Sequence, residues 1–402
     1  MNGTIRTVFA QDQDAAAAVR AAQAALSGEP ADLIIAFVGG KHGPEAVHAA
    51  LRAAFPGVTL PGGAAAGVIS SHGFGYGGFE IGLIAFHGPD VTPAMVATHD
   101  LLAGEFAAGE NLGRSVHDRT ADGQAVFLLF DSVASVAPLR LHPASQIMAG
   151  FQSGLGAREL HVVGGGLLTD INLSGGWLLD GADVCKHAAA ALIFPPGIAA
   201  ETVIFHGCRP ASSFLEITKI DGAEVLELNG EPALTVVERM LGLTLGTTSG
   251  QQLSLVATLG QKQGDPFAPF DENAYVNRLI LQANPERGSL TLFEPDFEAG
   301  ARVQIMSRDN ILMLESVTRG VADLRRLMGS KTTLLGLYID CAGRASVMSG
   351  AETEEAELVV DSLAPEFPFM GFYSGVEIAP FAGGTSRPLD WTGVLTVLQT
   401  AS

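Results

Sequence analysis

Apolar positions along the chain fall into short continuous runs and into three- and four-residue spacings, and the two patterns alternate. Continuous runs read as buried strands and the longer period reads as amphipathic helix. Residues 33–38 predict a strand. Pro44 then opens a helix carrying Val47, Ala50, Leu51, Ala54 and Phe55 on one face. Residues 58–61 predict a second strand, followed by the turn Gly62-Gly63-Ala64-Ala65-Ala66-Gly67. The unit recurs. Residues 125–130, a helix over 145–155, a strand over 160–163 and Gly164-Gly165-Gly166 form a second copy. Residues 333–339, a helix over 354–363, residues 365–370 and Gly371-Phe372-Tyr373-Ser374-Gly375 form a third. A further apolar strand follows each glycine turn, at 79–86, 187–194 and 393–398.

Strand alternating with helix predicts an α/β chain of mixed α+β layers. Its strand-helix-strand units repeat, and glycines cluster at strand ends, where a backbone without Cβ can approach a ligand. Three equivalent turns in one chain suggest a shared ligand rim.

Between the second and third copies the pattern changes to hairpins. Residues 214–220 and 224–228 flank Asp221-Gly222, and 278–282 pairs with 289–293. Pro232 starts a helix, and residues 311–327 form another, with Leu314, Val317, Val321 and Leu324 on one face and Ser307, Asp309 or Asn310 as its cap. The shift near residues 210–213 divides the chain into an N-terminal segment (1–30), an N-terminal domain (31–212) and a C-terminal domain (213–402).

A net charge of −20 over 402 residues repels phosphate backbones and anionic lipid, which argues against nucleic acid and membrane as partners. The acidic cluster at 352–357 reads as a solvated helix N-terminus. No apolar run is long enough to span a bilayer, and the first residues lack the apolar core of a secretory leader, so a cytoplasmic protein is expected. The three cysteines, Cys185, Cys208 and Cys341, are far apart and carry no C-x-x-C spacing, which disfavours a disulfide framework and a structural zinc site.

Leu60-Pro61-Gly62-Gly63-Ala64-Ala65-Ala66-Gly67-Val68-Ile69 resembles a worn form of the FIST N-domain signature, with Gly63 and Val68 where that signature has Cys and Glu. Val162-Val163-Gly164-Gly165-Gly166 resembles the family's second glycine motif. Residues 215–218 and Glu227-Leu228-Asn229-Gly230-Glu231-Pro232 resemble the opening of the FIST C domain, and Cys341-Ala342-Gly343-Arg344 and Gly371–Ile378 its closing motifs. The resemblance implies a sensory module for small ligands. Residues 206–210, 306–309 and 390–395 resemble a subset that binds haem b without covalent attachment, senses nitric oxide and regulates a partner histidine kinase or cyclic-di-GMP enzyme. A haem-free sensor of a small polar ligand such as an amino acid is the alternative.

Haem requires an axial ligand beside apolar surface. His187, at the mouth of the apolar run 188–194, is the first candidate; His206 is the runner-up and His161 the third. His42, His72, His117 and His142 lie in loops and read as exposed. The ligand-binding candidates are Arg209, Arg344, Tyr373, Ser374, Glu377 and Gly165. In that set an Arg–Glu pair could meet both ends of a zwitterion. The chain has no G-x-S-x-G, P-loop, H-E-x-x-H or correctly placed G-x-G-x-x-G motif and reads as a non-enzyme. A thiol-dependent hydrolase built on Cys341 is a minor alternative, set against a small buried core cysteine.

Overall fold

The computed structural model describes residues 3–26, 30–242, 257–363, 366–381 and 384–401. One unit is used three times. The first copy is β1 (Thr4–Gln11), α1 (Ala15–Leu26), β2 (Leu33–Gly39), α2 (Pro44–Ala54), β3 (Leu60–Ala65), β4 (Val68–Ser70), β5 (Gly73–Gly75) and β6 (Glu80–His87). The second is β7 (Ala94–Thr98), α3 (Glu105–His117), β8 (Ala125–Asp131), the small hairpin β9 (Val133–Val136) and β10 (Leu139–Leu141), α4 (Ala144–Leu155), β11 (His161–Leu167), β12 (Leu178–Gly181), β13 (Val184–Cys185) and β14 (Ala189–Ile193). The third opens with β15 (Ile198–Phe205) and is then interrupted. The insertion holds β16 (Arg209–Pro210), β17 (Leu215–Asp221), β18 (Glu224–Leu228), β19 (Glu231–Pro232), α5 (Ala233–Leu241), β20 (Ala257–Lys262), β21 (Tyr275–Asn284), β22 (Ser289–Leu292) and β23 (Arg302–Ser307). The third copy resumes with α6 (Asn310–Met328), β24 (Thr333–Cys341), α7 (Ser346–Ser349), α8 (Glu355–Leu363), β25 (Phe369–Ser374), β26 (Glu377–Pro380), β27 (Ser386–Leu389) and β28 (Gly393–Thr400).

Three sheets share one strand order: β1-β6-β2-β3-β12-β13, β7-β14-β8-β11-β26-β27 and β15-β28-β24-β25-β4-β5. The strands joined by the crossover helix run parallel in each, β2 with β3, β8 with β11 and β24 with β25. The last two strands of every sheet come from another copy. After its glycine turn each chain segment leaves its own sheet and completes a neighbour, so the three copies are cyclically interlocked. Backbone bonds repeat this relation at the crossings: Ala64 N donates to Trp177 O at 3.1 Å, Gly166 N to Val376 O at 2.8 Å and Tyr373 N to Gly67 O at 3.0 Å.

At these crossings Gly62 and Gly164 are buried where strands pass. A Cβ on Gly164 would lie 1.8 Å from the carbonyl oxygen of Leu128, and one on Gly62 2.0 Å from that of Ala36. Their lack of side chain admits a neighbouring strand.

The inner faces of all three sheets meet in a common core, with Phe37 stacked on Phe372 at 4.5 Å between ring centroids and Phe127 edge-on to both. Helix pairs α1/α2, α3/α4 and α6/α8 back the outer faces with their apolar stripes. Asp309 caps α6, accepting from Ile311 N at 2.8 Å and Leu312 N at 3.0 Å, as one of the three expected residues. The insertion closes on itself: β17-β18-β22-β21-β20-β23 form an antiparallel ring in which β23 pairs with both β20 and β17. Closure leaves this barrel no free edge, and α5 packs on its core.

Residues 1–30, set apart in the sequence reading, supply β1 and α1 to the first copy. The compositional shift near residue 210 marks the entry to the barrel, and the third copy straddles it, since β28 pairs with β15 along its length. The strand expected over 365–370 begins at Phe369; Pro365 lies outside the described residues. No helix among the described residues is long and apolar enough to cross a membrane.

Candidate functional site

The parallel strand pairs β8/β11 and β24/β25 end side by side, and the barrel sits over these ends. Between them lies a cavity of about 420 Å³. Its floor is Leu168, Ser374 and Gly375, one wall is Cys341, Ala342 and Gly343, and the opposite wall is Leu279–Gln282 and Phe293 of the barrel. Leu139, Ile171, Leu173 and Met348 complete an apolar lining. Strand C-terminal ends at a change of connectivity are where open α/β sheets hold ligands, and a mostly apolar cavity with few convergent polar groups has the character of a small-molecule site.

Arg308 brings a charge to the cavity, laid over the ring of Trp391. Trp391 is buried in a left-handed conformation, φ 56°, and the Arg308 guanidinium lies 3.2 Å from its ring centroid. A Cβ on Gly343 would come within 2.9 Å of the Trp391 ring, so glycine there lets the indole lie flat against the strand end. Burial, with the Arg344 charge nearby, pulls the Arg308 guanidinium down to about 9.

Beneath the floor, Ser374 Oγ stands 2.6 Å from Glu377 Oε1 and 3.3 Å from the Asp340 carbonyl oxygen, and Thr392 N donates to Glu377 Oε2 at 3.2 Å. Burial pushes the Glu377 carboxyl well above its usual range, against the hydrogen bonds it accepts from Ser374 and Thr392. Burial, with Glu377 nearby, likewise holds the Cys341 thiol protonated, so this cysteine serves the cavity as apolar wall.

Arg344 behaves differently from its sequence reading. It forms a bidentate pair with Glu355 at 2.6 and 2.7 Å, faces Asp340 at 3.3 Å and donates to the carbonyls of His206 and Trp391 at 3.0 and 3.2 Å. Tyr338 also donates to Glu355, at 2.6 Å, and Tyr373 to Glu354, at 2.8 Å. Arg344, one of the arginines expected to meet a zwitterion together with Glu377, is instead held in a fully buried knot behind the cavity wall. The acidic cluster read as solvated supplies it: Glu354 is 5% exposed and Glu355 0%. Of the six ligand candidates only Ser374 lines the cavity. Tyr373 and Glu377 support its floor. Gly165 is buried at a strand crossing, where a Cβ would sit 2.9 Å from Val376 O.

Arg209 lies in a separate outer cavity of about 750 Å³ between α6 and the barrel, with Phe270, Glu272, Arg319 and Asp323. Arg209 and Arg319 both pair with Glu272, at 3.2 and 3.3 Å, so its charges satisfy one another. The inner cavity, with Leu139, Leu168, Ile171, Leu173, Leu279 and Met348 on its walls, offers the larger apolar enclosure for an organic ligand.

His206 and His187, the first two haem candidates, are both held by polar partners. His206 accepts from Cys208 N through Nδ1 at 2.9 Å and bonds Glu272 O through Nε2 at 2.8 Å, leaving no nitrogen for iron. His187, in a left-handed conformation at φ 53°, has Nδ1 3.0 Å from His142 Nε2, and His142 Nδ1 meets Glu105 Oε1 at 2.9 Å. With Asp131 at 4.0 Å, the ring belongs to a polar cluster and lines none of the four cavities described. An axial ligand must face an apolar cavity, so neither residue fits the group. His42 and His142, read as exposed, are 3% and 1% exposed, each engaged through its ring.

His161 borders a third cavity, with Nε2 2.7 Å from Thr202 Oγ1, and burial lowers it to about 4. The unfolded chain takes up this proton near pH 6.5 and the folded chain near 4, so His161 costs stability as pH falls through that window. The drop in urea midpoint between pH 7 and pH 5 is expected to be smaller in His161→Gln than in the wild type. Equal drops would contradict the assignment.

Comparison with known proteins finds relatives by sequence. The FIST N domain family matches residues 32–231 and the FIST C domain family residues 233–380. An uncharacterized protein of Mycobacterium tuberculosis is 30% identical over 194 residues, 47% of this chain and 48% of the relative. An uncharacterized protein of Mycobacterium bovis is 29% identical over 195 residues, with the same coverage. The chain thus spans about half the length of the curated relatives it matches. Among solved structures, a cyanuric acid hydrolase from A. caulinodans aligns over 100% of both chains at 10% identity with a TM-score of 0.36. A chorismatase aligns over 100% of both at 9% identity and 0.33.

Proposed function

The chain belongs to the FIST family, an N domain followed by a C domain, and from that premise we propose that it senses a small anion with an apolar body in the cavity beneath the barrel. FIST domains are small-ligand sensors in general. The observation that carries it is the pairing of an apolar enclosure with a half-buried guanidinium, Arg308, laid on the buried Trp391. Guanidinium binds carboxylate through parallel hydrogen bonds, so an apolar amino acid or a simple aryl or alkyl carboxylate has the required form.

The cavity is shared between the barrel and the second and third copies, which gives a bound ligand a mechanical handle. Glu294, just beyond β22, holds the N-terminus of α4 by accepting from Ala144 N at 3.0 Å and Ser145 N at 2.8 Å. A ligand that moves Phe293 therefore bears on α4. A histidine kinase or cyclic-di-GMP enzyme stays as the proposed recipient of the signal.

The haem reading lacks support from the histidine geometry, and one preparation separates the two. Protein expressed with haem supplied is expected to show no Soret band and to gain thermal stability with at least one of benzoate, phenylacetate, octanoate, leucine or phenylalanine. A Soret band that disappears in His187→Ala, with no stabilisation by any of these carboxylates, would reverse the reading.

A further inference from the structure

A second grouping of chemistry lies away from this cavity, where the edges of two sheets meet. β13 ends the first sheet, β7 ends the second, and His99 follows directly on β7. Asp180 closes the turn between β12 and β13, its Oδ1 accepting from Ala182 N at 3.0 Å and Asp183 N at 2.8 Å. Those bonds fix the carboxylate and turn Oδ2 outward, where Cys185 Sγ stands at 3.3 Å and His99 Nε2 at 3.6 Å. The three ligand atoms all lie within 4.8 Å of one another.

Tetrahedral zinc, with bonds of ~2.3 Å to sulfur and ~2.0–2.1 Å to nitrogen or oxygen, spaces its ligands at roughly 3.3–3.6 Å. Both distances to Asp180 Oδ2 fall there before any metal has drawn the groups together. We propose that His99, Asp180 and Cys185 form a three-ligand site for a zinc-like divalent cation, with solvent in the fourth position. One thiolate, one carboxylate and one neutral imidazole suit zinc over magnesium or calcium, which want oxygen. Two anionic ligands balance the divalent charge, so the half-buried site takes on no net charge. His99 is 51% exposed through its side chain and Asp180 17%, which gives the ion a way in. The bound ion clamps the free edge of the first sheet to that of the second.

Uptake must deprotonate the thiol. Burial, with the hydrogen bond and charge of Asp180, pushes Cys185 up to about 12 in the metal-free protein, while the backbone bonds from Asp183 and Ala182 outweigh burial and keep the Asp180 carboxyl below its usual value. Metal binding therefore releases one proton, from the Cys185 sulfur to solvent, and tightens as pH rises.

The test is cobalt titration of full-length protein stripped with chelator. One equivalent of Co²⁺ is expected to give a thiolate-to-cobalt charge-transfer band that Zn²⁺ displaces, with about one proton released. Cys185→Ser is expected to abolish the band, and His99→Ala and Asp180→Asn to weaken binding ~10–100-fold. His99 is exposed, so its variant reads out the site even if Cys185→Ser folds poorly. No charge-transfer band in the wild type would overturn the proposal. A band unchanged in both Cys185→Ser and His99→Ala would do the same.

Discussion

Replacing Arg344 by methionine is expected to lower stability by about 3–5 kcal/mol, the range for breaking a buried ion pair by removing one partner. The side chain is 0% exposed and is the only cation within hydrogen-bonding reach that Glu355 meets among the described contacts. Methionine fills much of the same volume, so the loss reports charge more than space. It leaves Glu355 and Asp340 buried without their counter-charge and frees the carbonyls of His206 and Trp391. Urea denaturation followed by intrinsic fluorescence, with Trp391 close to the change, measures it. The double variant Arg344→Met, Glu355→Leu is expected to recover more than half of the loss, because removing both charges removes the burden of desolvation. A single variant within 1 kcal/mol of wild type would show the knot to be dispensable, since ordinary surface changes stay within ~0.5 kcal/mol.

That knot also shows where the sequence stops being readable. The strands and helices of the three copies were legible because each buries one face against a layer, and burial of one face imprints a period. Leu33–Gly39, Ala125–Asp131 and Thr333–Cys341 lie close to the runs expected for them. What the period does not encode is which strand lies beside which. β12 completes the first sheet through pairs such as Leu178 with Gly63, more than a hundred positions away, and nothing local to Leu178 marks that choice. Partner selection for charges fails for the same reason. Glu355 looks solvated in sequence because helix starts favour acids, yet α8 turns it inward onto Arg344. Its signal was weak but present: Val359 and Leu363, four and eight positions on, share its face of the helix and are buried with it.

The candidate sites were legible to a lesser degree. Ser374 was named from its glycine turn, and it lines the cavity. Arg308 and Trp391 appeared only as parts of similar stretches, because cation and ring are 83 positions apart and meet only after the barrel folds back on β24. His99, Asp180 and Cys185 escape any search for short metal motifs, since they are drawn from two sheet edges. In each case the chemistry is made by topology, and topology is the part of this fold that no short window contains.

The central claim is that the cavity beneath the barrel takes a small apolar anion through Arg308. Losing a buried charge partner of this kind costs roughly 2–5 kcal/mol, a factor of at least ~30 in affinity. Arg308→Met should leave the apolar walls standing, so binding of the body of the ligand survives while its charge goes unmet. The measurement is a calorimetric titration of the best-bound carboxylate, and of its isosteric amide, into wild type and Arg308→Met. The wild type is expected to bind at one site per chain with at least ~30-fold preference for the carboxylate over the amide, a preference lost in Arg308→Met. Carboxylate binding that is equally tight in Arg308→Met, or an amide bound as well as the acid by the wild type, would contradict it.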